Sequence, residues 1–128
     1  MSPVFLSLDE AIEIHRDMIE RYGGSAGIRD MGLLQSAVAM PRAGFGGEFL
    51  HADLFEMAAA YLFHIVQNHP CTDGNKRVGA ATALVFLDLN GVDVKVSNEL
   101  LAATVLDLAQ AKIAKAAIAD FLKMHSPR

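Results

Sequence analysis

The chain has one cysteine and no tryptophan among its 128 residues. A lone thiol, Cys71, excludes an internal disulfide framework and a four-cysteine zinc site. A basic surplus is missing too. With a formal net charge of −4 the chain has no broad positive face for duplex nucleic acid, so an anion site has to be built locally. Long uncharged runs are equally scarce. The longest stretch without Asp, Glu, Lys or Arg, Met57 to Thr72, holds Gln67, Asn68, two histidines and a proline, which argues against a membrane span. Met1 to Leu6 lacks a basic region followed by an apolar stretch and a cleavage site. The expectation is a soluble, reduced, cytoplasmic protein. No His-Glu-x-x-His pattern suggests a zinc hydrolase, and no Gly-Lys-Ser/Thr follows Gly44-Phe45-Gly46-Gly47 to make a Walker loop.

What is present is apolar and helix-forming. Hydrophobic residues make up 52%, ample for a core, while β-branched runs are few, so the expectation is an all-α domain spanning residues 1–128. Ser7 with Glu10 reads as a capping box, after which Leu8, Ala11, Ile12, His15, Met18, Ile19 and Tyr22 recur at helical spacing up to Gly23-Gly24. Asp30 caps a second helix, Met31–Met40, stopped by Pro41. Residues 41–50, with three glycines, Phe45 and Phe49, look like a flap or hairpin. Ala52 to Asn68 is apolar nearly all round, the mark of a helix at the centre of a bundle. Pro70 ends it at His69. A second central helix runs from Asn75 to Leu89 and closes at Asn90-Gly91. Val92–Val96 is an extended connection, Ser97 caps a helix to about Gln110, and a last helix covers Ala114 to Met124. The expected fold is a compact bundle of about six helices.

Chemistry concentrates between the two central helices, in His69-Pro70-Cys71-Thr72-Asp73-Gly74-Asn75-Lys76-Arg77. The first N–H groups of a helix have no partner inside it and carry partial positive charge. Gly74 lets the chain approach a ligand closely, so the amides that follow can cradle phosphate oxygens. Arg77 adds a planar fork and Lys76 a point charge. Asp73 offers the hard oxygen that Mg²⁺ prefers while phosphates take other positions. His69 supplies an imidazole to take a proton from an attacking hydroxyl. Taken singly, each residue has a plain reading: Asp73 caps a helix, Gly74 makes a turn, the basic pair is solvated. A simple helix–helix connection, however, needs none of His69, Lys76 or Arg77. Elsewhere, His15 and His64 read as core or boundary histidines. Arg21 and Arg29 are either ligand-reaching or solvated helix-end charges, and Cys71 is a buried thiol rather than a nucleophile.

The stretch His-Pro-x-x-Asp-Gly-Asn-Lys-Arg resembles the active-site motif of the Fic/Doc family, in particular its death-on-curing (Doc) toxins. Arg21-Tyr22-Gly23-Gly24, Gly27-Ile28-Arg29-Asp30, Asn68 and Leu89-Asn90-Gly91 carry the likeness over nearly the whole chain. Adenylyl-transferring members have Gly where this chain has Lys76 and a further Arg where it has Ala80; the Doc-like pattern is Asn-Lys-Arg without that Arg, as here. The resemblance implies a helical fold presenting the loop between two central helices. It also implies a protein kinase moving the γ-phosphate of ATP, with Mg²⁺, to a Ser/Thr hydroxyl of elongation factor Tu, and so arresting translation. His69 would be the base, Asp73 the metal ligand, and Gly74, Asn75, Lys76 and Arg77 the phosphate holders. Residues 41–50 match the family's target-docking flap. No Ser or Thr is followed four residues later by Glu, so the family's self-inhibitory helix is missing, and restraint would fall to a Phd-like antitoxin.

One position departs from the family, which usually has Phe where this chain has Cys71. Large-to-small core changes cost ~3–5 kcal/mol when the cavity does not refill. A neighbour fills the space, or the loop is looser and less active. Two rival readings follow: a Fic-type nucleotidyl (AMP) transferase, opposed by Lys76 and Ala80, and a catalytically silent Fic-fold binding module, opened by Cys71.

Overall fold

A computed structural model describes residues 2–127; Met1 and Arg128, the ends of the expected 1–128 domain, lie outside the described residues. Six α-helices occur among them: α1 (Leu8–Tyr22), α2 (Met31–Ala39), α3 (Leu54–Asn68), α4 (Asn75–Leu89), α5 (Asn98–Ala109) and α6 (Lys115–Met124). The capping box at Ser7 and Glu10 forms in both directions. Asp30 accepts from Leu33 N–H to start α2. That helix stops one residue short of the expected end because Met40 and Pro41 open a 3-10 turn, Met40–Arg42. α3 starts two residues later than Ala52. Asp53 accepts from Glu56 N–H, and Glu56 in turn accepts from Ala52 N–H, which holds Ala52 outside the helix. None of these helices is long and apolar enough to cross a membrane.

As the apolar pattern required, α3 is the central element, packed against α4, α6, α2 and, more lightly, α5. Tyr61, Leu62 and Ile65 of α3 and Phe86 and Leu87 of α4 are fully buried. The Tyr61 and Phe86 rings lie 5.2 Å apart, and the Tyr61 hydroxyl accepts from Leu6 N–H at 2.9 Å, tying the N-terminal arm to the core. Gly79 sets the closeness of the α3–α4 pair, since a Cβ there would lie 3.2 Å from the Leu62 carbonyl oxygen and from Val66 Cγ2. Residues 41–50 contain a small hairpin, β1 (Gly44–Phe45) against β2 (Glu48–Phe49), paired antiparallel with Phe45 opposite Glu48. Its Phe45 ring is 95% exposed.

Lys115, the first residue of α6, fastens that helix to the base of the hairpin and to α3. Its ammonium donates to Nε2 of His51 at 3.3 Å and of His64 at 3.4 Å, so both rings are neutral acceptors. Burial first, then the charge of Lys115, lowers His64 from 6.5 to about 4, and the same two causes lower His51. Above pH 6.5 neither state of the chain protonates His64 appreciably, and the arrangement contributes in full. As pH falls from 6.5 toward 4 the unfolded chain takes a proton that the folded chain refuses, and stability declines. The non-titrating variant His64→Gln, which keeps an acceptor for Lys115, should lose stability less steeply over that interval in urea titrations; equal slopes would contradict the assignment.

Candidate active site

The loop between α3 and α4 begins with a residue in an uncomfortable conformation. His69 caps α3 at φ 53° and ψ 51°, in the left-handed region, directly before Pro70. That conformation costs an L-residue about 1–2 kcal/mol, and a following proline disfavours helical geometry further. Surrounding contacts hold it. His69 N–H donates to the Ile65 carbonyl at 3.1 Å, and the Arg29 guanidinium donates to the His69 carbonyl through Nε at 2.9 Å and Nη2 at 2.6 Å. Asn68 Nδ2 donates to the Leu33 carbonyl at 3.1 Å. Residues 27–30, in the connection between α1 and α2, run along the loop as a splint: Asp30 N–H donates to Pro70 O at 3.0 Å, Thr72 N–H to Gly27 O at 3.1 Å, and Ile28 and Cys71 form an antiparallel bridge. The His69 side chain is exposed while Pro70 and Cys71 are buried.

Asn75, the first residue of α4, closes the loop. Its Oδ1 accepts from Cys71 N–H at 2.8 Å and its Nδ2 donates to Cys71 O at 3.0 Å, both buried. The Asn75 side chain is therefore committed to the loop, and what this residue has left for a ligand is its backbone N–H. Asp73 is exposed, and both of its carboxylate oxygens accept amides, from Ser25 at 3.0 Å and Gly74 at 2.9 Å. Those two amides lead the causes that hold its pKa below the ordinary carboxylate value, with Arg77 and His15 adding to them. Gly24 makes this approach feasible, because a Cβ there would lie 2.7 Å from Asp73 Oδ2. From beneath, buried His15 donates through Nε2 to the Asp73 carbonyl at 3.2 Å.

Gly74 caps α4 in the left-handed conformation, φ 78°, and no side chain caps that helix. The α4 N-terminus thus keeps outward-facing amides, flanked by exposed Lys76 and Arg77. The Arg77 guanidinium rests 4.5 Å over the exposed Tyr22 ring. Arg21 pairs with Asp17 one turn away at 3.0 Å, whereas Arg29 serves the carbonyl end of α3. The loop and splint therefore gather His69, Asp73, Gly74, Asn75, Lys76 and Arg77 around one junction. His15, Gly24, Ser25 and Arg29 support it from outside the motif; Gly24 and Arg29 fall inside the two short segments whose likeness to the family was visible in sequence, while His15 gave no signal beyond its helical spacing.

Chemically, the junction can receive an anion at the α4 amides and basic pair. The Asp73 carboxylate, kept ionised by two amides and still exposed, fits Mg²⁺ with phosphate and water completing its ligands. Among the described residues no group of three or more His, Cys, Asp or Glu gathers to cage a metal. The departure at Cys71 leaves no exposed gap, since the residue is fully buried and its backbone is paired on both sides.

Comparison with known proteins finds a family match and named relatives. The family model that matches is that of the Fic/DOC family, over residues 5–87, which include every residue of the junction. The chain is 37% identical over 118 residues to the "Protein kinase doc" of Escherichia phage P1, covering 92% of each sequence. It is 44% identical over 73 residues to the "Toxin Doc" of Mycolicibacterium smegmatis, covering 57% of this chain and 56% of that one.

Two outcomes follow from the closure of the loop. Replacing Asn75 by Ala strands the buried N–H and C=O of Cys71, and each unsatisfied group costs about 1–3 kcal/mol; urea unfolding should record a loss of that order or more. Burial pushes the Cys71 thiol up to about 11, so a disulfide reagent at pH 8 should label it only after urea is added. Rapid labelling of the native protein would contradict the closed loop.

Proposed function

The chain belongs to the Fic/DOC family, and from that premise we propose that it is a Doc-like toxin acting as an ATP-dependent protein kinase. The observation that carries this reading is the junction itself: uncapped amides at the start of α4, Lys76 and Arg77 beside them, an ionised Asp73, and an exposed imidazole at the end of the preceding helix. The printed name of the phage P1 relative, "Protein kinase doc", supports a phosphoryl rather than a nucleotidyl transfer, as does Lys76 where adenylyl-transferring members have Gly.

In this reading Gly74, whose own N–H is held by Asp73, lets the chain approach the ligand closely. The backbone N–H groups of Asn75, Lys76 and Arg77 bind the phosphates of ATP, and the two basic side chains neutralise them. His69 takes the proton from a target Ser or Thr hydroxyl. The hydroxyl oxygen forms a bond to the γ-phosphorus while the bond from that phosphorus to the β–γ bridging oxygen breaks, and ADP leaves. His69 then returns the proton to solvent. Asp73 would hold Mg²⁺, which when bound supplies charge neutralisation on the phosphates. Catalysis of this kind is chiefly positioning, and the strapped His69 and rigid loop are suited to it. By resemblance the target is elongation factor Tu, the site of action the cytoplasm, and the restraint a Phd-like antitoxin supplied in trans, since the chain lacks the self-inhibitory motif.

Incubation with elongation factor Tu and ATP labelled at γ, in parallel with ATP labelled at α, separates the possibilities. Transfer of the γ label alone is expected. Transfer of only the α label would replace the kinase assignment with nucleotidyl transfer. Replacing His69 by Ala should lower the transfer rate by about 10²–10⁴-fold and relieve growth arrest when the chain is expressed alone; equal growth arrest with both would sink the enzymatic reading.

A further inference from the structure

His69 occupies a backbone conformation that its own β-carbon and the next residue both oppose, and the only side chain among the described residues that grips its carbonyl comes from forty positions earlier. Resting on the reading of His69 as the base, we infer that Arg29 is its positioning residue. The guanidinium fork fixes the orientation of the His69 peptide, and with it where the imidazole stands relative to the α4 amides.

Three observations support this role. Arg29 places Nε and Nη2 on one oxygen, at 2.9 and 2.6 Å, and Nη2 also reaches the Asn68 carbonyl at 3.3 Å. A planar fork of this kind constrains direction as well as distance, which a lysine ammonium does not. Secondly, the fork has a fixed mounting. The residues on both sides of it are pinned to the loop by Thr72 N–H to Gly27 O, the Ile28–Cys71 bridge and Asp30 N–H to Pro70 O. Thirdly, the charge is spent here: among the described residues the ion pairs of Arg16, Arg21 and Lys95 have no counterpart at Arg29. The free carbonyls at the end of α3 are its partners, where a cation is favoured by the helix dipole. Arg29 is exposed, so its removal leaves the core intact and its effect falls on His69.

The test compares wild type, Arg29→Ala and Arg29→Lys as full-length proteins, by γ-phosphate transfer kinetics, thermal unfolding and the backbone ¹³Cα and ¹³C′ shifts of His69. Arg29→Ala should lower kcat roughly tenfold or more, the scale expected when a reacting group is misplaced by a fraction of an ångström to an ångström. KM for ATP and the unfolding temperature should stay close to wild type. Lysine should restore only part of the rate, methylguanidinium added to Arg29→Ala should restore some of it, and the His69 shifts should move in both variants. An unchanged kcat, a rate that falls only in step with stability, or His69 shifts identical to wild type would overturn the inference. Failure of wild type itself to transfer phosphate would defeat the kinase reading instead, and the His69 shifts would then decide the role of Arg29 alone.

Discussion

The junction is organised around a hydrogen-bonding problem that arises whenever two buried helices are joined by a short turn. α3 ends with carbonyls that need donors, α4 begins with amides that need acceptors, and the chain between them must reverse without leaving its own polar groups unpaired in the interior. Asn75 solves the middle of this problem. One amide side chain, 5% exposed, provides both an acceptor and a donor to Cys71, so the loop folds back on the helix it precedes. The connection between α1 and α2 satisfies much of the rest, with Gly27, Arg29 and Asp30 meeting residues 68–72. Once those demands are met, the α4 amides are the ones left facing outward. The site is thus the remainder of a structural problem otherwise solved.

This explains how far the sequence could be read. Helix boundaries came through because their signals are local: the Ser7–Glu10 box, Asp30 before Met31, Asn90-Gly91 after Leu89. Where boundaries moved, the competing signals were also local: the Asp53 and Glu56 pair at Ala52 and the Met40-Pro41 turn at the end of α2. The motif itself was legible because its residue types are improbable together in a plain turn. Long-range duties were not. Nothing in the spacing of His15 says that its ring meets the Asp73 carbonyl, 58 residues away, and an arginine such as Arg29 reads as either ligand-reaching or solvated until the α3 carbonyls are placed beside it. Asn75 shows the same limit from the other side. The resemblance names it only as a phosphate holder, and its side chain closes the loop.

The substitution at Cys71 illustrates how a packing difference can be absorbed by the backbone. A phenyl ring would anchor the loop by its volume, and the sulfur provides little of that. Here the anchorage lies in directed bonds: two to Asn75 and a bridge to Ile28. Such bonds depend on geometry rather than on side-chain size, so the position can accept a small residue while the turn keeps its shape. The Tyr22 ring under Arg77 works similarly at the rim, parking a flexible cation without a carboxylate that would compete for its charge.

The placement of two basic residues on a molecule of net charge −4 has a consequence for how a polyanion would arrive. At a distance the acidic whole repels it, while within about 8 Å, the screening length at physiological salt, the amides and the Lys76–Arg77 pair attract it. Ionic strength therefore acts in two opposed directions, softening the far repulsion and the near attraction together. Capture depends on contact rather than on steering, and a change of salt concentration should disturb it far less than it would a protein that draws its ligand in by a broad positive face.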